Sequence, residues 1–390
     1  MSIIIFGDLF SFPDGNAATN RVHTYAKGFI ENGVNTYVIC FASDYNTLGD
    51  GITNGIYYYH PFEHLKRNKY FLLRRWLKLK KHFRTIQLVR EINRKDKVIA
   101  IISYSSLLQF QVFSVFLSKL IKSKIILECS EHPLKDYQNS FLRKIAGKPK
   151  VYIESKIYNG INCISQYLIN FYEKRGVNQK KLFLVPSTVD PERFEIVHDS
   201  LLPFKYIAYC GSLTLQKDGV NILIESYNRI AVKYPDINLV LIGKEASEKE
   251  EILIKNLVTK LGLEKRIFFI GQISRERVPL YLINAIALAL ARPRSMQADA
   301  GFPSKLTEYL ATGVPVVVTE VGEISVYLKD NKNAFIAEPD NIEAFADKLD
   351  FVLENYQYAH EVGLNGKELA KTVFNYNFQA KRMIDFINSL

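Results

Sequence analysis

The sequence predicts an α/β protein of two doubly wound domains, each built on a parallel sheet. The chain has 390 residues, which is more than one ordinary hydrophobic core accommodates. Short β-branched runs alternate with segments of helical periodicity, as in βαβ units. The same alternation restarts at FKYIAYCG, residues 204–211, so a second domain of similar size is expected.

The first half is predicted to alternate strands and helices. Its strands are SIIIFG, NTYVICFA, KVIAIISY and KIILEC, and NGINCIS and KLFLVPSTVD close this half. The helix between the first two strands carries Val22, Ala26, Phe29 and Ile30 at helical spacing. Gly33 then ends this helix.

The second half repeats the pattern and fixes the predicted domain limits. FKYIAYCG, INLVLIGK, IFFIGQ and IALALAR are its strands, separated by NILIESYNRIAVKYP, a charged helix over 246–261 and a helix near 275–284. We predict domains over 1–198 and 199–374, followed by an amphipathic helix over 375–390. The apolar face of this last helix is expected to be Phe378, Met383, Ile384 and Ile387. Because ligands of such sheets bind at the carboxyl ends of strands, the cleft between the domains is the expected site.

Composition limits the class of protein. No run approaches the roughly 20 apolar residues of a membrane span, and MSIIIFGDLF lacks the basic region and cleavage site of a signal peptide. Cys40, Cys129, Cys163 and Cys210 lie in or beside apolar segments, so buried, reduced thiols in a reducing cytoplasm are expected. The net charge of +11 indicates an acidic partner: nucleic acid, anionic lipid or a phosphorylated ligand.

The most informative segment is DAGFPSKLTEYLATGVPVVVT, from Asp299 to Thr319. It predicts a loop broken by Gly301 and Pro303, then a helix with Ser304 at its N-cap, a glycine stop and a buried strand. The free N–H groups at such a helix start form an anion site. Glu308 lies one turn inside this helix.

Two loops that follow predicted strands carry weaker signals. In GDLFSFPDGNAATNRVH, Gly15 and Asn16 can adopt unusual backbone angles before a helix that favours negative charge, although an ordinary βα turn explains the segment equally well. This segment is not the G-x-G-x-x-G pattern of a dinucleotide site. In CGSLTLQKDGVNILIE, Lys217 precedes a helix and could face an anion, or could be a solvated surface lysine.

A third segment, ECSEHP, follows the strand KIILEC. It would place Glu131 and His132 at the carboxyl end of a strand, where catalytic groups of open sheets gather. The alternative is a structural or merely exposed histidine. No histidine shows the spacing of a metal ligand.

Residues 66–84, KRNKYFLLRRWLKLKKHFR, contain nine Lys or Arg. Leu72, Trp76, Leu79, Phe83 and Ile86 recur at helical spacing, so one face is apolar and the rest is strongly basic. This pattern is typical of a helix that lies on an anionic bilayer. A solvated helix whose apolar side packs on the domain is the first alternative. RNA or DNA binding is the second, and the position of the aromatic residues on the apolar face disfavours it.

Together these segments resemble the retaining GT-B glycosyltransferases of the family four (glycosyl transferases group 1) type, which use nucleotide-sugar donors. The resemblance runs nearly end to end. It rests on GNAATNRVHTYAKGFIENGVNTYVI, NGINCISQYLINFYEKRGVNQKKLFLVPSTVDPERF, YCGSLTLQKDGVNILIESY and, most specifically, GFPSKLTEYLATGVPVVVTEVGEISVYL. It implies a GT-B fold, with two Rossmann-like domains that face a central cleft.

The resemblance also implies roles for individual residues. Glu308 would accept hydrogen bonds from the donor ribose, and the N–H groups around Ser304, Lys305 and Leu306 would hold the diphosphate. Lys217 would neutralise the leaving diphosphate. His132 would support the donor sugar, and Gly15 and Asn16 would let the first loop approach phosphate and acceptor. The full implied donor-binding set is Glu308, Ser304, Lys305, Leu306, Gly301, Phe302, Pro303, Gly211, Ser212 and Arg292.

Two positions depart from the family pattern. Members usually carry a glutamate eight positions before the ribose-binding one, where this chain has Ala300 with Asp299 beside it. We expect an altered sugar contact, for which Asp299 could compensate as a catalytic group. The arginine that often follows the strand glycine is Ser212 here, so Arg292 or Arg294 are possible substitutes.

The resemblance therefore implies transfer of a sugar to an acceptor hydroxyl with retention of configuration. We expect no cofactor and no metal, because Lys217 and the helix dipole would meet the diphosphate charge. The basic helix over 66–86 suggests a glycan or lipid-linked acceptor, peripheral contact with the inner face of the cell membrane and no nucleic-acid partner. The last helix would cross back onto the first domain. Alternatives are a nucleotide-sugar epimerase or hydrolase on the same fold, and a non-catalytic lipid- or nucleic-acid-binding protein.

Overall fold

A computed structural model describes residues 1–42, 49–62, 69–134 and 141–390, with the side chains of 141–148 excepted. The described chain separates into two compact units. Unit 1 comprises Met1–Thr188 and Tyr376–Leu390, and unit 2 comprises Val189–Asn375. The division falls after Thr188, earlier than the predicted 198. The reason is that residues after Thr188 pack into unit 2: the Val189 N–H donates to the Phe374 carbonyl (2.9 Å), and Phe194 is buried.

Unit 1 is built on a sheet of eight described strands in the order β3-β4-β2-β1-β5-β6-β7-β8. All pairings are parallel except that between β3 and β4. The strands are β1 Ser2–Gly7, β2 Asn35–Cys40, β3 Gly51–Thr53, β4 Ile56–Tyr59, β5 Val98–Tyr104, β6 Lys124–Cys129, β7 Gly160–Cys163 and β8 Leu182–Leu184. The strand order reverses between β1 and β5, so their carboxyl ends border the crevice where ligands of open sheets bind.

Five helices of unit 1 follow its strands: α1 Ala17–Glu31, α2 Phe71–Lys95, α3 Leu108–Ile121, α4 Phe141–Ile157 and α5 Gln166–Glu173. A capping box starts α1, because the Asn16 side chain accepts from Ala18 and Thr19 while the Thr19 hydroxyl accepts from Asn16. The expected unusual angles are not found: Asn16 is extended and the φ of Gly15 is not positive. Gly15 is needed for space instead, since a Cβ there would collide with the Thr19 hydroxyl.

The long helix α2 contradicts the alternative in which its apolar side packs on the domain. Its buried residues are Lys81, Thr85, Val89 and Ile92, whereas Leu72, Trp76, Leu79 and Phe83 are exposed. Within the basic stretch that was predicted as a helix over 66–86, the observed helix begins at Phe71. Residues 66–68 of this stretch lie outside the described part of the chain.

Unit 2 carries a parallel sheet of six described strands in the order β11-β10-β9-β12-β13-β14. The strands are β9 Lys205–Cys210, β10 Ile237–Ile242, β11 Ile267–Gly271, β12 Ala287–Leu290, β13 Val316–Thr319 and β14 Phe335–Ala337. The helices are α6 Leu215–Asp218, α7 Val220–Ala231, α8 Glu248–Lys260, α9 Val278–Leu282, α10 Met296–Ala300, α11 Ser304–Thr312, α12 Ile324–Tyr327, α13 Ile342–Glu354 and α14 Tyr356–Lys371. Here the order reverses between β9 and β12.

The C-terminal helix α15, Tyr376–Ser389, returns to unit 1. Met383 and Ile387 are buried in the unit 1 core beside Val22 and Ala26 of α1. The predicted apolar face was wrong at Phe378, which is exposed.

Candidate functional site

The candidate site of unit 2 lies where its strand order reverses, at the carboxyl ends of β9 and β12. Gly211 follows β9, Arg292 follows β12 by two positions, and α11 lies in the same connection as Arg292, between β12 and β13. The loop after β9 is tied to α11, because the Tyr309 hydroxyl accepts from the Cys210 N–H at 2.6 Å. The topology therefore brings together segments that are distant in sequence: Cys210 and Tyr309 differ by 99 positions.

Gly211 is required by both its backbone and its surroundings. Its φ of +154° lies in a region that side chains other than glycine rarely adopt. A Cβ here would also collide with the Lys305 ammonium group. Gly211 therefore lets the β9 loop run directly against the Lys305 side chain.

A buried ion cluster surrounds this contact. The Lys305 ammonium lies 2.9 Å from Asp218 Oδ2 and donates to the Tyr209 hydroxyl at 2.7 Å. Arg292 Nε is 3.7 Å from the other oxygen of Asp218. Burial alone would raise the pKa of Asp218, but Lys305 and Arg292 outweigh it and hold that pKa below 3.8. Two cations thus share one carboxylate, which leaves the cluster net positive beside Gly211.

Burial also lowers the pKa of Lys305, and Asp218 opposes this shift. From the sequence, only the backbone N–H of Lys305 was assigned to the site. In the structure, the side chain of Lys305 contributes more to the site than its backbone does. Asp218 was missed because nothing in the sequence shows that it faces residue 305.

The start of α11 differs in detail from the prediction. Pro303 is the N-cap, with extended backbone angles and no side-chain cap hydrogen bond, so Ser304 is the first helical residue. The Leu306 N–H donates to the Pro303 carbonyl at 3.0 Å and is already used. The N–H groups of Ser304 and Lys305 are therefore the two first-turn donors best placed for an anion.

Glu308 lies one turn into α11, as expected, and an arginine holds it. Arg193 Nη1 lies 2.8 Å from Glu308 Oε1, and its Nη2 donates to the Arg275 carbonyl at 2.8 Å. Burial, together with the charge of Arg193, lowers the pKa of Arg275 to about 10. The contact of Arg193 with Glu308 was not predicted, since these residues are 115 positions apart in the chain.

The other cations predicted for this region lie in different settings. Lys217 is exposed and belongs to α6, rather than to the loop before it. Arg292 is buried and donates through Nε to the Lys217 carbonyl at 3.2 Å. Arg294 is exposed and lies 3.9 Å from Glu338. Ser212 is also exposed, and its carbonyl accepts from the Tyr209 hydroxyl.

The segment before α11 contributes shape more than ligand contacts. Asp299 is an exposed residue of α10, so the predicted loop begins only at Gly301. Phe302 is buried with its ring against Tyr327 and Phe374, at centroid distances of 5.3 and 5.2 Å. Its ring is therefore an anchor of the unit 2 core, and Phe302 fits a ligand-binding role less well than predicted.

Unit 1 has a separate pocket at the ends of β5 and β6 that is open to solvent. His132 lines it, buried and edge-on to Phe171 at 4.8 Å. Burial and the nearby Arg175 lower the His132 pKa below 6.5, which favours the neutral ring. Because Nδ1 accepts from the Leu134 N–H at 3.1 Å, the proton of that ring lies on Nε2.

Polar side chains complete the floor of this pocket. Gln111 Nε2 and the Tyr172 hydroxyl donate to Glu154 at 2.8 and 3.0 Å, and Lys150 is 3.7 Å from the same carboxylate. Burial raises the pKa of Glu154. Such a lining of amide, hydroxyl and carboxyl groups suits a ligand rich in hydroxyls.

Three general predictions can be compared with the described residues. Cys40, Cys129 and Cys163 are buried, Cys210 is partly exposed, and these four thiols form no disulfide. Among those residues, no group of three or more His, Cys, Asp or Glu is placed to hold a metal ion. None of the described helices combines the length and the apolar character needed to cross a bilayer.

Comparison with known proteins connects this site to a family. Residues 177–369 match the model of the family described as "Glycosyl transferases group 1". The chain is 25% identical over 232 residues to trehalose synthase of Thermococcus litoralis, covering 56% of this chain and 55% of that protein. It thus spans about half the length of the curated relatives that it matches.

Solved structures match over the whole chain. Sucrose-phosphate synthase from Thermosynechococcus elongatus has a TM-score of 0.73 at 17% identity, covering 100% of this chain and 99% of that one. Anabaena Alr3699/HepE in complex with UDP-glucose has a TM-score of 0.72 at 15% identity, covering 100% of both chains. Residues 177–369 therefore carry a glycosyl transferases group 1 domain, in a chain that has the GT-B fold of glycosyltransferases.

Proposed function

We propose that this protein is a retaining glycosyltransferase that moves a sugar from a nucleoside diphosphate donor to an acceptor hydroxyl. The observation that carries this proposal is the net positive cluster of Lys305, Arg292 and Asp218 beside the first turn of α11. That arrangement suits a diphosphate, and Glu308 one turn further suits a ribose diol. The match of HepE, which was crystallised with UDP-glucose, supports the same class of donor.

The proposed reaction needs no protein nucleophile. The bond between the anomeric carbon and the β-phosphate oxygen breaks, and its electron pair stays on the phosphate. The acceptor oxygen forms the new bond on the same face, and its proton passes to the leaving phosphate. The α11 N–H groups and Lys217 stabilise the developing charge, so we propose that no metal ion or cofactor is required. Full turnover after treatment with EDTA is the expected result.

We propose that the acceptor binds in unit 1. His132 carries a ring N–H in a pocket lined by hydroxyl, amide and carboxyl groups, which suits an acceptor sugar or the donor hexose. Gly15 and Asn16 would contribute through the backbone of their loop. The Asn16 side chain is engaged, because it caps α1 and donates to the Leu9 carbonyl.

The test is a screen of UDP-, GDP- and ADP-sugars with and without glycan acceptors. We expect one donor to give a glycoside of retained configuration, with little hydrolysis when the acceptor is omitted. Release of free sugar or an epimer without any glycoside would indicate the hydrolase or epimerase alternative. In Glu308→Gln we expect turnover to fall at least tenfold, because a hydrogen bond to a charged group contributes about 1.5–3 kcal/mol. Unchanged turnover would contradict the assignment of the donor site.

We further propose that the enzyme works at the cytoplasmic face of the cell membrane, in the synthesis of cell-surface polysaccharide or glycoconjugate. The support comes from α2, which is seated on unit 1 by Lys81: its ammonium lies 3.9 Å from the Phe41 ring centroid and donates to the Phe41 carbonyl. This seat leaves Leu72, Trp76 and Leu79 exposed. Exposed basic residues surround them: Lys69, Arg75, Lys78 and Lys80. Apolar side chains within a basic surface suit an anionic bilayer.

Flotation with vesicles tests this contact. The protein should bind phosphatidylcholine vesicles that contain phosphatidylglycerol and should not bind phosphatidylcholine alone. Lys78→Gln/Lys80→Gln should weaken binding about tenfold or more, since each cation near the surface contributes about 1 kcal/mol. Trp76→Ser/Leu79→Ser should weaken it as well. The matched control is Lys249→Gln/Lys265→Gln, which removes two exposed lysines of unit 2. Equal loss in the control, or binding of RNA that competes with the vesicles, would count against a membrane role.

A further inference from the structure

We infer that Arg193 is a positioning residue that orients Glu308 toward the two ribose hydroxyls of the donor. This inference rests on the proposed function, since it presupposes a nucleotide in unit 2. It adds a residue from outside the α11 motif, in the short helical turn Pro191–Phe194.

The first step is the contact itself. Arg193 Nη1 meets Glu308 Oε1 at 2.8 Å, and the two side chains are only 13% and 15% exposed. A carboxylate oxygen has two lone pairs, so this contact leaves Oε2 as an acceptor for a ligand. A diol needs an acceptor whose direction is fixed, and the guanidinium fixes it by holding one oxygen.

The second step is that Arg193 is itself held in place by contacts other than the one with Glu308. Its Nη2 donates to the Arg275 carbonyl at 2.8 Å, and its guanidinium carbon is 5.3 Å from the Phe194 ring centroid. Arginine can make both contacts at once because its donors form a rigid, planar fork. Lysine carries the same charge without this geometry.

The third step concerns charge. Arg193 forms the ion pair with Glu308, and the charges of both residues also act on the nearby Arg275. A carboxylate accepts hydrogen bonds and donates none, which suits a partner that presents two hydroxyl donors. Arg193 therefore supplies both direction and charge, while it touches neither the sugar nor the phosphates in this proposal.

The experiment compares nucleotides with and without the ribose diol. Affinities of UDP, GDP and ADP are measured by calorimetry, and the tightest is compared with its 2′,3′-dideoxy form. In the unsubstituted protein we expect the dideoxy form to bind at least tenfold more weakly. In Glu308→Gln this ratio should fall close to one. In Arg193→Met the ratio of the two affinities should fall at least threefold. In Arg193→Lys the ratio should lie between that of Arg193→Met and that of the unsubstituted protein.

Two controls separate positioning from general stability. Arg266→Met removes another arginine of unit 2 that binds backbone carbonyls, those of Tyr234 and Ile237. We expect it to lower the melting temperature while leaving the ribose ratio as in the unsubstituted protein. Adding Arg193→Met to Glu308→Gln should not change the ratio further, because the oriented group is already absent.

The failures of this inference and of the proposed function are distinguishable. If no nucleoside diphosphate binds the unsubstituted protein, the proposed function and this inference both fall. If the diol matters and Glu308→Gln abolishes its effect while Arg193→Met keeps the full ratio, only the positioning role is wrong. An unsubstituted protein that binds nucleotide without regard to the diol would overturn the role of Glu308, and with it that of Arg193.

Discussion

At the scale of single residues, the site of unit 2 depends on charges that compensate one another. Asp218 is buried and ionised, and it faces Lys305 and Arg292. Removing one member of such a group leaves an uncompensated buried charge, which costs more than the pair itself contributes. Asp218 therefore stabilises the folded site by compensating the buried charges of Lys305 and Arg292.

We predict that Asp218→Asn lowers the free energy of unfolding of unit 2 by roughly 3 kcal/mol at pH 7. The pKa of Asp218 is lowered in the folded protein, so its contribution is present above pH 3.8 and is lost as the pH falls further. The difference between variant and parent should thus shrink in acid. Denaturant unfolding measures both effects. Adding Lys305→Met should recover part of the loss, and Asp299→Asn, at an exposed position, should change nothing.

A second residue-scale prediction concerns His132. Its pKa is lowered in the folded protein, so the neutral ring is favoured and stability should fall as the pH drops below 6.5. His132→Asn keeps an acceptor for the Leu134 N–H and removes the titration. We expect the drop in melting temperature between pH 7.5 and pH 5.5 to be smaller in this variant. An identical drop would show that other groups govern the acid sensitivity.

The same residues show how far sequence could predict the site. The helix that carries Ser304, Lys305 and Glu308 was predicted from local signals, because a proline, a glycine and apolar spacing act within a few positions. Arg193 and Asp218 could not be predicted, because their roles arise only when distant segments fold together. Residues inside a local motif can therefore be predicted from one sequence, whereas the distant residues that contact them cannot.

At the scale of elements, α2 shows a limit of periodicity. Periodicity places Leu72, Trp76, Leu79 and Phe83 on one face, but it does not say whether that face packs inward. The described helix packs instead through Lys81 and the residues that follow on its side. A lysine can be buried when its ammonium contacts aromatic rings and a backbone carbonyl. The Lys81 ammonium contacts the rings of Phe41 and Phe110 and donates to the Phe41 carbonyl.

We predict that Lys81→Met loosens α2 although it replaces a charge with an apolar group. The variant loses a desolvated cation–π contact, worth about 2 kcal/mol, and leaves the Phe41 carbonyl without this donor. Amide hydrogen exchange over α2 should become faster, and the melting temperature should fall. Lys80→Met, at an exposed neighbouring position, is the control. Slower exchange in Lys81→Met would show that the buried charge is a net cost.

At the scale of the whole chain, unit 1 is completed by a segment that comes after all of unit 2. The first and last residues of unit 2, Val189 and Asn375, form a parallel bridge. Beyond them, α15 packs against α1, where Gly28 leaves room for it. A Cβ at Gly28 would lie 2.8 Å from the Tyr376 carbonyl oxygen and would press on the Ala380 methyl group.

We predict that Gly28→Ala and Gly28→Val progressively displace α15. The melting temperature of unit 1 should fall in that order, and limited proteolysis should cleave first within 376–390. Gln87→Val, which places a valine at an exposed position of a helix, should behave like the parent protein. Resistance of Gly28→Val to cleavage would mean that α15 contributes little to unit 1.

The parallel sheets were predictable, because each βαβ unit is local and its handedness is fixed. The order of the strands and the antiparallel pair of β3 and β4 were not predicted. The packing of α15 on unit 1 was expected only through the resemblance to a family. Amphipathic character shows that a helix buries one face, but it does not show which surface that face packs against.

This return of α15 has a consequence for biosynthesis. A ribosome that has made residues 1–188 has synthesised all eight described strands of the first sheet, yet Val22 and Ala26 still lack the cover that α15 gives them. They stay without it while 187 further residues, 189–375, are translated and begin to form the second sheet. At 5–20 residues per second this interval lasts roughly 10–40 seconds. We therefore expect nascent chains halted within unit 2 to be recognised by chaperones through the uncovered face of α1.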